Sequence, residues 1–278
     1  MLWKDQGRSS NLEDRRGFGG RAGMGIGGTA VLLILSLLFG RNFFDDTGTA
    51  PATVSSESDG RLAPADSARE EPQVRFVSFV LDDVQATWAK LLPQYGGRYH
   101  DAGLVLFRDA TPTGCGTGQS AMGPFYCPLD EKVYIDLGFY NELQQKFGAA
   151  GDFAQAYVIA HELGHHVQHL LGTDAKVRQA QQGDRGAAND LSVRLELQAD
   201  CYAGVWGKST QQRNILQTGD VEEGLNAAAS VGDDRIQKRV TGRVNPETFT
   251  HGTSAQRASW FKRGFESGDP RQCDTFAN

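Results

Sequence analysis

From Asp152 onward apolar residues recur at helical spacing, and four segments predict helices: Asp152 to Leu171, Asn189 to Trp206, Val221 to Lys238 and Ser254 to Phe265. Each is bounded by Gly, Asp, Asn or Ser, residues that favour helix ends. Upstream the pattern shortens. Alternation over Val74-Arg75-Phe76-Val77-Ser78-Phe79-Val80 predicts a strand, Asp83 to Leu92 a short helix ended near Pro93, and Gly103 to Phe107 and Lys132 to Leu137 further strands. A small antiparallel sheet followed by a helical body is an α+β fold.

A different pattern precedes this. Ala22 to Gly40 carries no charge and has an aliphatic heart, Ala30-Val31-Leu32-Leu33-Ile34-Leu35-Ser36-Leu37-Leu38-Phe39. It is just long enough for one transmembrane helix, since about 20 residues cover the hydrocarbon. Lys4, Arg8, Arg15, Arg16 and Arg21 precede it and Arg41 alone follows closely, so the expected orientation leaves the N-terminus in the cytoplasm. A cleaved signal peptide fits less well, because no A-x-A-like site follows. Asp45 to Pro72 is poor in large apolar residues and reads as a disordered linker. The expected organisation is therefore a cytoplasmic arm at 1–21, a membrane helix at 22–40, a linker at 41–73 and one folded domain at 74–278.

Composition narrows the partners. Lys and Arg number 28 against 34 Asp and Glu, a net charge of -6, which is the wrong sign for nucleic acid. Four cysteines without a CxxC pair exclude zinc-ribbon and thioredoxin-type sites. Outside the cytoplasm, bridges Cys115 to Cys127 and Cys201 to Cys273 become possible, one of the three pairings that four cysteines allow.

The sharpest chemical signal is His161-Glu162-Leu163-Gly164-His165, an HExxH pattern inside a predicted helix. At about 100° per residue the two histidines lie within ~40° of each other, while Leu163, Val167, Leu170 and Leu171 face the other way. Two imidazoles one turn apart suit Zn2+, whose catalytic sites take three protein ligands and leave one position to water. Glu162 is then placed to act on that water as its base.

A third ligand is required. Gln168 and Leu171 stand where an HExxHxxGxxH site needs Gly and His, so that class is excluded. Glu196 and Asp200 lie at i and i+4 on an otherwise apolar helix and need partners there. Metal coordination supplies one to Glu196, and a hydrogen bond from a ligand imidazole supplies one to Asp200. The competing reading of Glu196 is an ion pair with Arg194 or a neighbouring helix.

These residues sit in longer motifs: Asn11-Leu12-Glu13-Asp14-Arg15-Arg16-Gly17, Thr113-Gly114-Cys115-Gly116, Gly123-Pro124-Phe125-Tyr126-Cys127-Pro128, Leu191 to Cys201, and Thr250-His251-Gly252-Thr253-Ser254. In these the chain resembles the bacterial neutral zinc metallopeptidases, membrane-anchored relatives of the gluzincin peptidases. The resemblance implies a zincin-like domain, with His161, His165 and Glu196 as zinc ligands and Glu162 as catalytic base.

His251, near a predicted helix start with Ser254 as N-cap, is a candidate oxyanion donor, with Tyr157 and Tyr202 as rivals. The pairs Glu222-Glu223 and Asp233-Asp234 read as helix-end residues, and Trp206, Trp260, Phe261 and Phe265 as core. The sequence thus predicts a membrane-anchored zinc endopeptidase with peptide or protein substrates. Its catalytic domain would lie outside the cytoplasmic membrane, residues 22–40 would contact lipid, and Lys132 to Leu137 would offer a sheet edge for an extended peptide. The alternative is a non-catalytic envelope binding or scaffold protein stabilised by zinc.

Overall fold

The structure, a computed structural model, describes residues 1–17 and 64–277. The membrane segment expected at 22–40 lies outside these. Among the described residues no helix is long and apolar enough to cross a membrane.

Helix α1 (Pro64–Leu91) replaces both the last ten residues of the expected linker and the strand expected at 74–80. The reason lies in two overlapping periods. Val74 to Val80 fits alternation locally, but Val74, Val77, Leu81, Val84 and Trp88 continue at helical spacing and are all fully buried. Pro72 lies within the helix and withholds one backbone donor without ending it.

Strands β1 (Leu12–Asp14), β2 (Gly103–Phe107), β3 (Ala110–Thr113), β4 (Gly116–Gln119), β5 (Phe125–Cys127) and β6 (Lys132–Asp136) form two sheets. The larger has the order β1-β2-β6-β5, and β3 and β4 make a separate hairpin. The expected antiparallel sheet is in fact mixed, since β1 and β6 both run parallel to β2 and only β5 is antiparallel. The hairpin lies in the connection from β2 to β6, which gives the chain the length a parallel return needs. Cys115 and Cys127 join that hairpin to β5. Lys132 to Leu137 is not an edge: β6 lies between β2 and β5.

The expected N-terminal arm is, over its first 17 residues, part of the folded body. β1 pairs with β2 in register Leu12 to Leu104, and the Trp3 ring packs on Phe76 and Phe79 of α1. Met1 is 6% and Arg16 2% exposed. Burying a side chain the size of Met is worth about 1.5–3 kcal/mol, so this segment contributes to stability.

The helical body comprises α2 (Gly138–Gln145), α3 (Asp152–Leu170), α4 (Thr173–Gly183), α5 (Ala188–Gln212), α6 (Asp220–Ser230), α7 (Asp233–Thr241) and α8 (Ser254–Ser267). The single helix expected from Val221 to Lys238 is two, broken where Gly232 adopts an extended conformation against Ser254. The N-cap of α8 is Thr253, not Ser254, and forms a capping box with Gln256. Trp206 and Phe261 are buried as expected, whereas Trp260 and Phe265 lie partly exposed at the core's rim.

Helix α5 runs between α3 and α8 with little room. A methyl group at Gly164 of α3 would lie 3.1 Å from the Ala199 carbonyl oxygen, and methyl groups at Gly204 and Gly264 would collide with Phe261 and Cys201 oxygens at 2.0 and 1.9 Å. The absent side chains let three backbones approach closely, which brings acids on α5 to the histidines on α3. The Cys201–Cys273 disulfide joins α5 to the C-terminal turn.

Candidate metal centre

α3 carries His161, Glu162 and His165, and α5 carries Glu196 and Asp200. The Nε2 atoms of His161 and His165 lie 3.2 and 3.4 Å from the two oxygens of the Glu196 carboxylate. One donor atom from each residue falls within 4.8 Å of the others, so the three ligand candidates converge. Two imidazoles and a carboxylate are the mixed nitrogen and oxygen set that suits zinc. Asp152, Asp220 and Glu223 also cluster, but two of those acids bind the Met1 amino group, at 2.6 and 3.3 Å. Arg194 pairs with Asp190 at 2.8 Å, and the cation near Glu196 is instead Arg257 of α8, 3.8 Å from its Oε2, so the neighbouring-helix form of the competing reading stands beside the metal reading.

The electrostatics favour a cation. Desolvation disfavours the imidazolium of His161, yet Asp200 and Glu196 outweigh it and push its pKa up to about 10. Burial works to raise Glu196, but the two histidines hold it well below the usual carboxylate range. The cluster therefore retains positive charge, and a divalent ion can supply that charge in place of protons. Glu162 is 7% exposed and is raised by burial, the direction that suits a general base near neutral pH.

Both histidines are fixed through Nδ1. His161 Nδ1 bonds Asp200 Oδ1 at 2.9 Å, as the sequence suggested. Asp200 is fully buried and accepts from Arg257 at both oxygens, at 2.8 and 2.9 Å, and from the Tyr157 hydroxyl. Tyr157 is thereby occupied and is no oxyanion donor, and Tyr202 packs edge-on against Trp88 in the core. His165 Nδ1 donates to Gln168 Oε1 at 2.8 Å, and the Gln168 amide donates to Leu195 O and Gln198 Oε1.

The sequence reading missed Gln168 and Arg257. Gln168 lies one turn beyond His165 on the same helix, which was a usable signal; Arg257 is on a distant helix and offered none. Because Gln168 fixes the tautomer that leaves the His165 Nε2 lone pair free, Gln168→Leu should weaken zinc binding by about 10–100-fold in a competitive chelator titration. The circular dichroism spectrum should remain that of the parent.

His251 is half exposed. Its Nδ1 lies 3.2 Å from Asp233 Oδ1, while the other Asp233 oxygen accepts backbone N–H bonds from Thr250, His251 and Gly252. The surrounding protein disfavours its charged form, but Asp233 and Glu196 more than offset this and raise its pKa. The acidic pairs lie in the first turns of α6 and α7, and one member of each also reaches the start of another helix. Glu223 accepts from Phe153 N at the start of α3, and Asp234 from Ser254 N at the start of α8.

The chain is 51% identical to "uncharacterized protein YpfJ" of Escherichia coli K12, over 99% of each chain. It is 49% identical to "uncharacterized protein Rv2575" of Mycobacterium tuberculosis H37Rv, over 70% of this chain and 68% of that one. No solved structure matches. Residues 1–276 match the family described as "putative neutral zinc metallopeptidase", and the chain belongs to that family.

Proposed function

We propose that this chain is a zinc-dependent endopeptidase whose metal is held by His161, His165 and Glu196. The observation that carries the reading is the convergence of those three donors beside a buried carboxylate, Glu162, that is not one of them. Bound zinc supplies Lewis acidity, polarising a peptide carbonyl and lowering the pKa of a water toward ~7.

The chain's own groups do the rest. Glu162 takes a proton from the attacking water and delivers it to the leaving amine nitrogen. His251, oriented through Nδ1 by Asp233, presents Nε2 to the oxygen that gains negative charge as the carbonyl is attacked. Asp200 and Gln168 hold the two ligand imidazoles in one tautomer and one orientation.

The test uses zinc-loaded full-length chain and a panel of peptides with both termini blocked. Cleavage at interior bonds is expected, to stop with a chelator and to return when zinc is restored. Stoichiometric zinc without cleavage of any peptide or of casein would instead favour the zinc-stabilised binding protein.

A further inference from the structure

The sequence places an apolar segment, Ala22 to Gly40, between residues 1–17 and the folded body. A single bilayer crossing there would put those two parts in different compartments. The structure joins them. Leu12, Glu13 and Asp14 pair with Leu104, Val105 and Leu106, and backbone bonds run from Leu104 N to Asn11 O and from Arg15 N to Leu106 O. Ser9 bonds Asp82, and Trp3 lies against Phe76 and Phe79. A strand cannot pair across a membrane with the sheet it completes.

The basic residues that set the expected orientation give a second, independent observation. Arg8 pairs with Asp14 and Glu71, Arg15 with Glu13, and the buried Arg16 with Asp14 and Glu70. Glu70 and Glu71 belong to α1 of the body. Three of the five residues counted as a cytoplasmic flank are thus structural partners of acids, so their role in the fold accounts for them without a topogenic one. The Arg16–Glu70 pair at 2.6 Å also holds the exit of the N-terminal segment beside the start of α1.

We propose that residues 1–17 and the metal centre occupy the same side of the membrane, so the expected arrangement of cytoplasmic N-terminus and external catalytic domain does not hold. The conclusion is the same whether the N-terminal strand docks on its own body or on that of a second copy. The Cys115–Cys127 and Cys201–Cys273 bridges place this shared side in an oxidising compartment.

The test is cysteine accessibility in bacterial spheroplasts producing the full chain. Leu2 is 58% and Val240 55% exposed, so Leu2→Cys and Val240→Cys, made separately, report on the N-terminal segment and on the body without disturbing either. With a membrane-impermeant maleimide, equal labelling of the two before permeabilisation is expected. Labelling of one before and of the other only after permeabilisation overturns the proposal. A photo-crosslinking amino acid at position 3 provides a second readout in the same cells. Adducts to the peptide containing Phe76 and Phe79 are expected, and their complete absence would equally overturn it. Neither measurement requires hydrolysis, so this inference and the peptidase reading fail separately.

Discussion

Glu162→Gln should keep the zinc content of the parent while lowering kcat/KM by about 10²–10⁴, the usual contribution of a positioned general base. The two effects separate because Glu162 is adjacent in sequence to a ligand candidate but is not among the three donors that converge. Amide and carboxylate have nearly the same shape, so the 7%-exposed site has no cavity to fill and the variant should fold. The base must be ionised to act, and burial raises its pKa above the ordinary 4.5. Activity in the parent should therefore fall as pH drops through that raised value, giving an acid limb above the usual carboxylate range. Parallel measurement of metal content and of the pH–rate profile checks both. A variant that hydrolyses at the parental rate would remove Glu162 from the chemistry.

The parts of this site that were legible in the sequence share a physical origin: they are spaced along single helices. His161 and His165 are one turn apart on α3, Glu196 and Asp200 one turn apart on α5, and helical period alone places each pair on one face. That the two faces meet depends on Gly164 admitting Ala199 at close range, which spacing does not report. The same limit hid Arg257, because its partners come from α3 and α5 and nothing near it in sequence announces them. Where the reading of the fold failed, two signals overlapped. Val74 to Val80 satisfies strand alternation over seven residues, and only the continuation to Trp88 decides for the helix. Strands as short as β1 and β5 carry too few residues for a period and are fixed by their partners in the sheet. In the N-terminal segment, Arg8 and Arg16 read in the sequence only as flanking charge, and their pairing with Glu71 and Glu70 of α1 is a tertiary contact that no local pattern announces.

Arg257→Met tests how the histidines are held. The Arg257 guanidinium is 3% exposed and donates to both Asp200 oxygens, to Val231 O at 3.2 Å and to the Tyr157 hydroxyl at 3.3 Å. Met replaces the aliphatic stem but takes the guanidinium from the wholly buried Asp200, leaving it only the His161 imidazole as a cationic partner. Breaking a buried pair in this way costs about 3–5 kcal/mol. For a body of this size that corresponds to a fall in Tm of roughly 6–20 °C. The pH dependence has a definite sign. Desolvation works to raise Asp200, but Arg257 and His161 more than offset it and lower its pKa below the ordinary 3.8. Its ionised form therefore stabilises the parent above that value, and this contribution is lost as pH falls through the lowered pKa. In the variant the carboxylate, held by His161 alone, is penalised most when charged. The stability deficit, measured on zinc-free protein, should be widest near neutrality and narrow as pH drops and Asp200 protonates. Zinc affinity should weaken by about 10–100-fold, since Asp200 orients the His161 ring. In the double variant Asp200→Asn, Arg257→Met the loss should be smaller than the sum of the two single losses, because the first change removes the charge that the second leaves unpaired. Were Arg257 instead a direct donor to the substrate oxyanion, hydrolysis would fall while Tm and zinc affinity stayed at parental values. Its guanidinium donates to both Asp200 oxygens and also lies 3.8 Å from Glu196 Oε2, so its loss acts on the groups that hold and form the ligand set, which argues for the structural outcome.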